Sequence, residues 1–182
     1  MAKKKLTSKQ ILKRAAKIKL LLTDVDGVLT DTGVYYSAKG EEMKRFSIRD
    51  GMGIERLRQL VNVETGIITR EDSAIVKSRA QKLKIEELHL GVMEKEKTLD
   101  EILSKKNLSV SEIAYIGDDT NDLEIMMKVG LSACPNDATN FAKKISDIIV
   151  DSKGGYGAVR DLAEIIIEAK QKRTNKKKGT NE

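Results

Sequence analysis

Short apolar runs alternating with amphipathic segments are the feature that most restricts how this 182-residue chain folds. Residues 18–23 (Ile-Lys-Leu-Leu-Leu-Thr) read as a buried strand. Residues 33–37 and 42–48, around the turn Ala38-Lys39-Gly40, read as a hairpin. Further strands are expected over 63–69, 87–90, 113–117, 131–133 and 148–150. Helices are expected over 53–61, with Ile54, Leu57, Leu60 and Val61 recurring at helical spacing, and over 73–83, with Ile75, Val76, Ala80 and Leu83 on one stripe. Helices are also expected over 96–106, 122–129, 138–145 and 158–171, with Gly130 as a C-terminal cap of the second of these. Strand then helix, repeated, predicts an α/β fold. It is a Rossmann-like parallel sheet with helices on both faces, plus a β-hairpin inserted after the first strand.

The length fits one domain, expected over 18–171, between a basic N-terminal segment (1–17) and a basic disordered tail (172–182). Hydrophobic residues make up 40% of the chain but aromatic ones only 3%, so the core must be aliphatic. The net charge of +6 comes from the ends: lysines at 3–5 and six basic residues between 170 and 178. The middle is close to neutral, so the excess reads as solvated ends and no nucleic-acid partner is expected. The lone Cys134 excludes an internal disulfide, and the lone His89 excludes a multi-histidine metal site; both fit a reducing compartment. Cys134, just before Pro135, reads as a small buried residue, and His89 as a strand-end residue. No apolar run approaches the ~18–20 residues that cross a bilayer, and no apolar stretch of signal-peptide type follows the N-terminal charge. A cytoplasmic protein without a membrane partner is expected.

Ligands bind parallel sheets beyond the carboxyl ends of the strands. Three runs end in reactive side chains: Thr23-Asp24-Val25-Asp26-Gly27, Ile68-Thr69-Arg70, and Gly117-Asp118-Asp119, with Asp122 close behind. Clustered carboxylates repel one another unless something pairs them, and a hard divalent cation with oxygen ligands does so. The pattern is not a calcium loop, because the fifth position from Asp24 is Val28 and Gly27 comes too early. No Walker A pattern is present. Alternate residues leaving a strand point the same way. Of Asp24 and Asp26, one carboxylate can attack phosphorus, and the other can protonate a leaving alkoxide and then take a proton from water. Gly27 lets the backbone bend sharply after them.

Asp24-Val25-Asp26-Gly27-Val28-Leu29-Thr30-Asp31, the strand-ending Thr69, Lys95, and Gly117-Asp118-Asp119-Thr120-Asn121-Asp122 together resemble the haloacid dehalogenase superfamily of phosphatases. The likeness covers about residues 18–168. The hairpin, Phe46-Ser47-Ile48-Arg49-Asp50-Gly51 and Gly154-Gly155-Tyr156-Gly157-Ala158-Val159-Arg160 resemble its small subfamily without a large cap domain. That subfamily includes phosphatases of 3-deoxy-D-manno-octulosonate 8-phosphate and of nine-carbon nonulosonate 9-phosphates. The resemblance implies Mg2+ as cofactor, a homotetramer joined through its hairpins, and an aspartyl-phosphate intermediate. It implies Asp24 as nucleophile and metal ligand, and Asp26 as general acid/base with its backbone carbonyl on the metal. Thr69 would hydrogen-bond the phosphoryl group, Lys95 would neutralise developing charge, Asp118 would complete the metal site and Asp122 would support it. Lys95 rather than Lys97 is implied by the family's Gly-x-x-x-Lys spacing from Gly91.

The second motif departs from the family's common Thr-Gly-Arg, reading Thr69-Arg70-Glu71. Octulosonate enzymes tend to carry arginine where Glu71 and Glu55 stand. Glu71, Arg79 and Lys82 instead resemble the nine-carbon branch, and at 100° per residue the three would return to one helix face. The expected small-molecule partner is therefore a sugar-acid phosphate, leaning to a nonulosonate 9-phosphate with the octulosonate 8-phosphate as alternative. Arg49 and Arg160 are further substrate-binding candidates. A phospho-receiver domain is a distant alternative, since it places its acceptor aspartate on a middle strand.

Overall fold

A computed structural model describes residues 6–178; residues 1–5 and 179–182, with the lysines at 3–5, lie outside the described residues. In chain order the elements are α1 (Ser8–Ala15), β1 (Leu20–Thr23), β2 (Thr30–Ser37), β3 (Gly40–Phe46), α2 (Ile48–Val61), β4 (Glu64–Ile68), α3 (Ala74–Leu83), β5 (Glu87–His89), α4 (Lys95–Lys106), β6 (Ile113–Ile116), α5 (Leu123–Lys128), β7 (Leu131–Cys134), α6 (Asn140–Ile145), β8 (Ile148–Ile149) and α7 (Ala158–Lys178). Six parallel strands lie in the order β5-β4-β1-β6-β7-β8, and β2 and β3 form a separate antiparallel hairpin. The expected α/β architecture, with helices on both faces and the hairpin after β1, is the one observed.

The alternation of side chains along a strand divides β1 between two cores. Leu21 packs in the cluster that holds Ile54 and Leu57 of α2, Val76 of α3 and Leu162 of α7. Leu20 and Leu22 pack in the opposite cluster, with Leu99 of α4, Ile125 of α5 and Ile145 of α6. Burying each such side chain stabilises the fold by about 1.5–3 kcal/mol. The cores are aliphatic as expected, and Tyr115 is the largest fully buried side chain. The strand order reverses at β1, flanked by β4 and β6, so a crevice opens at their carboxyl ends.

Several boundaries differ from the sequence pattern; the hairpin strands, for instance, run Thr30–Ser37 and Gly40–Phe46 rather than 33–37 and 42–48. The segment expected to be a basic extension contains α1, started by a capping box between Thr7 and Gln10 and seated by the fully buried Ala15. Helix α2 starts at Ile48 rather than 53, with Ser47 accepting from the backbone N–H groups of Arg49 and Asp50. Its early glycines hid this start. Gly53 is there for packing: a Cβ would stand 2.8 Å from Arg160 Cα. Helix α7 continues past Gln171 to Lys178, through part of the expected disordered tail. Gly130 is not a left-handed cap. Helix α5 ends through an extended Val129, and glycine is needed at 130 because a Cβ would lie 2.7 Å from Ser111 Cα.

Candidate active site

Asp24 directly follows β1, where its backbone N–H still donates to Ile116 O at 3.0 Å and so is held by the sheet. It is 4% exposed. The chain then turns tightly, with the N–H groups of Val28, Leu29 and Thr30 all donating to Val25 O. Gly27 permits the turn at φ +84°, and a Cβ there would fall 2.0 Å from Asp118 Oδ2. Glycine is thus what admits the end of β6 beside the end of β1. Thr69 lies beyond β4, its N–H donating to His89 O at 3.0 Å. One cavity is lined by Asp24, Asp26, Thr69, Glu71 and Asp118, together with Thr32, Arg70, Met93 and Asn121. Thr32 holds φ 66°, an unusual conformation for a β-branched residue, at the rim of this cavity.

Lys95, at the first turn of α4, is buried behind Asp24. Its Nζ lies 2.9 Å from Asp24 Oδ1 and 2.7 Å from Asp122 Oδ1. Tyr115 OH donates to Asp122 Oδ1 at 2.6 Å and accepts from Lys95 at 3.2 Å. The other oxygen of Asp122 accepts the backbone N–H groups of Asp118 (2.8 Å) and Asp119 (3.3 Å). Burial pulls the Lys95 ammonium down, but the charges of Asp24 and Asp122 carry it above its ordinary value. Tyr115 is driven well above its ordinary range by burial and then by Asp122.

Oxygens of Asp24, Asp118 and Asp122 lie within 4.8 Å of one another. Burial, then the charge of Asp122, raises Asp24 to about 7 against the pull of Lys95. Burial, then Asp122 and Asp24, raises Asp118 to about 8. Three carboxylates share the single buried ammonium of Lys95, which leaves negative charge for a further cation, and an all-oxygen donor set suits Mg2+. Both oxygens of Asp122 are engaged by Lys95, Tyr115 and backbone N–H groups, so Asp24 and Asp118 are the carboxylates best placed to face the ion.

The structure thus brings together Asp24, Asp26, Thr69, Lys95, Asp118 and Asp122. The expected substrate residues do not gather in the same way. Glu71 lines the cavity but lies in the loop before α3, so it shares no helix face with Arg79 and Lys82. Arg79 Nη2 donates to Ser47 O at 2.9 Å, with its guanidinium 5.5 Å from the Phe46 ring centre. Lys82 is exposed. Arg160 pairs with Glu164 at 2.8 Å, and Arg49 is exposed early in α2. Arg49, Arg79, Lys82 and Arg160 are not among the residues lining the cavity.

Two residues at this site escaped the sequence reading. Tyr115 looked like one more apolar strand residue. Lys44 of β3 reaches Asp26, its Nζ lying 2.9 and 2.8 Å from the two carboxylate oxygens. Alternation along the hairpin was the only available signal for it.

Residues 43–161 match the model of the haloacid dehalogenase-like hydrolases. The chain belongs to this family, and within it to the phosphoric monoester hydrolases. It is 36% identical over 155 residues to the 3-deoxy-D-manno-octulosonate 8-phosphate phosphatase of Haemophilus influenzae, covering 85% of this chain and 86% of that one. It superposes on the crystal structure of the Yersinia pestis phosphatase of the same name with a TM-score of 0.86 at 37% identity, covering 90% of this chain and 88% of that one. The Moraxella catarrhalis enzyme of that name, solved with magnesium, phosphate and a KDO molecule, gives a TM-score of 0.87 at 33% identity, covering 96% and 99%. Magnesium is the cofactor of this class, and the acidic cluster fits it. Among the described residues, no helix is long and apolar enough to cross a membrane.

Proposed function

We propose that the chain releases phosphate from 3-deoxy-D-manno-octulosonate 8-phosphate. The observation that carries this is the joining of the phosphatase constellation at one strand-end cavity with overall likeness to enzymes of that name. The nonulosonate 9-phosphate reading is set aside. It rested on Glu71, Arg79 and Lys82 acting from one face, and only Glu71 reaches the cavity.

In this reading an Asp24 carboxylate oxygen attacks phosphorus as the bond to the sugar oxygen breaks, and Asp26 protonates the departing alkoxide. An aspartyl-phosphate forms on Asp24. Asp26, now ionised, takes a proton from water as that water attacks the same phosphorus, freeing phosphate and restoring Asp24. Lys95 orients Asp24 through Oδ1 and counters the charge that builds on the phosphoryl oxygens. Thr69 presents its hydroxyl to one of those oxygens. Asp24 and Asp118, with the Asp26 backbone carbonyl, would hold the magnesium, which would supply positive charge against the phosphoryl oxygens. Asp122 positions Lys95 and the 118–119 backbone.

The reading also includes a cytoplasmic location and a homotetramer joined through the hairpin. Exposed Tyr35, Tyr36 and Met43 there support the second point. The test of the substrate is a side-by-side measurement of kcat/KM for the eight-carbon 8-phosphate and a nine-carbon 9-phosphate with Mg2+. The eight-carbon substrate should be preferred at least tenfold; equal rates or the reverse order would return the assignment to the nine-carbon branch.

A further inference from the structure

The hairpin is mostly exposed, yet only 1% of the Lys44 side chain is. Its neighbours differ: Met43 is 57% exposed, and the Arg45 side chain 41%. A solvent-facing ribbon gains little stability from burying an ammonium, because desolvation offsets the ion-pair attraction. What the arrangement does provide is a fixed cation on Asp26. Lys44 Nζ contacts both Asp26 oxygens and lies 3.4 Å from Glu41 Oε2. Glu41 Oε1 in turn accepts from the Ser73 hydroxyl at 2.7 Å. Ser73 stands at the N-cap of α3, yet its side chain makes no capping bond. A serine there ordinarily accepts from its own helix, so the hydroxyl is given over to the hairpin. The result is a polar chain, Asp26–Lys44–Glu41–Ser73, running from the loop after β1 to the loop after β4.

We infer that Lys44 is a positioning residue that sets the orientation of the Asp26 carboxylate, and that Glu41 and Ser73 fix Lys44 so that the hairpin forms part of the acid/base apparatus. This rests on the assignment of Asp26 as the general acid/base. A flexible lysine stem holds one place only when its ammonium has fixed partners on both sides, as Asp26 and Glu41 provide here. Asp26 itself is only partly shielded, with 31% of its side chain exposed; among the described residues its carboxylate is otherwise held by Thr30 Oγ1 at 3.3 Å.

The test uses single-turnover release of the leaving group with Mg2+ present. A sugar phosphate leaves as a poor alkoxide and needs the acid, whereas p-nitrophenolate leaves without it. Lys44→Met should slow alcohol release from the sugar phosphate by about tenfold or more, within the range that general acids contribute, and p-nitrophenolate release by less than about threefold. In an Asp26→Asn background, Lys44→Met should have no further effect on alcohol release. Glu41→Gln should shift the two leaving groups apart in the same direction, and it serves where Lys44→Met folds poorly. Equal slowing of both leaving groups, no slowing of either, or an undiminished effect in the Asp26→Asn background would overturn the inference. If wild-type protein turned over neither phosphate, the phosphatase reading itself would be what failed.

Discussion

Lys95 Nζ lies 2.9 Å from Asp24 Oδ1 with only 1% of the lysine side chain exposed, so the carboxylate has a fixed cation behind it before any substrate arrives. Removing one partner of a buried ion pair typically costs about 3–5 kcal/mol, because the other charge is stranded. Here Asp24 would lose its buried cation, and Asp122 would keep only the Tyr115 hydroxyl and the backbone N–H groups of Asp118 and Asp119. Lys95→Met keeps most of the volume and should still lower the melting temperature. It should reduce kcat by about 100-fold or more, the scale of losing a charge-stabilising group. Phosphate release and a thermal melt on the same preparation check both effects. Near-wild-type turnover would remove Lys95 from the mechanism.

The carboxylates predict a pH dependence that magnesium reverses. Unfolded aspartates titrate at about 4, whereas in the fold Asp24 and Asp118 are raised to about 7 and about 8. Between those values the folded protein holds more protons than the unfolded chain, so metal-free stability falls as pH rises. Magnesium competes with those protons. The rise in melting temperature on adding Mg2+ should be small near pH ~5 and grow toward pH ~8. Calorimetric scans with and without Mg2+ across this range measure it, and a pH-independent increment would count against cation binding at these two residues.

Gly27→Ala separates activity from stability. The added Cβ would meet Asp118 Oδ2 at 2.0 Å, and φ +84° strains any L side chain. The Asp118 carboxylate must move, and it is a proposed metal ligand. Turnover should drop more than about 100-fold, while the destabilisation should stay near the ~1–3 kcal/mol typical of such backbone strain. Raised Mg2+ should recover part of the activity, as a titration of rate against Mg2+ would show.

Tyr115→Phe removes a buried hydroxyl that donates to Asp122 at 2.6 Å. The expected loss is about 1–3 kcal/mol, the cost of leaving a buried acceptor short of a donor. Urea unfolding should show a lower midpoint with an unchanged slope. Because Lys95 still holds Asp122, kcat should fall less than for Lys95→Met.

What could be read from the sequence follows from the range of each interaction. Asp24, Thr69 and Asp118 were legible because each ends an apolar run, and parallel topology brings strand ends together. Lys95 sits in a charged stretch and is singled out only by the family resemblance, whose Gly-x-x-x-Lys spacing from Gly91 points to it. Lys44 was hidden, since Glu41-Glu42-Met43-Lys44-Arg45 looks like an ordinary solvated hairpin strand until its partner Asp26 is placed in space. The face of Glu71, Arg79 and Lys82 failed for a different reason. Helical arithmetic holds only inside a helix, and α3 starts at Ala74, three residues after Glu71. Helix α1 was masked by its lysines, although Thr7 and Gln10 carry a capping-box pair.

The central claim is that Asp24 attacks phosphorus. The most direct measurement is steady-state phosphate release from 3-deoxy-D-manno-octulosonate 8-phosphate by Asp24→Asn and wild-type protein, both with Mg2+ and both shown to be folded by thermal melt. The account predicts that Asp24→Asn loses at least ~1,000-fold in kcat, because an amide oxygen is a poor nucleophile toward phosphorus. An Asp24→Asn protein that turns over at the wild-type rate would contradict it.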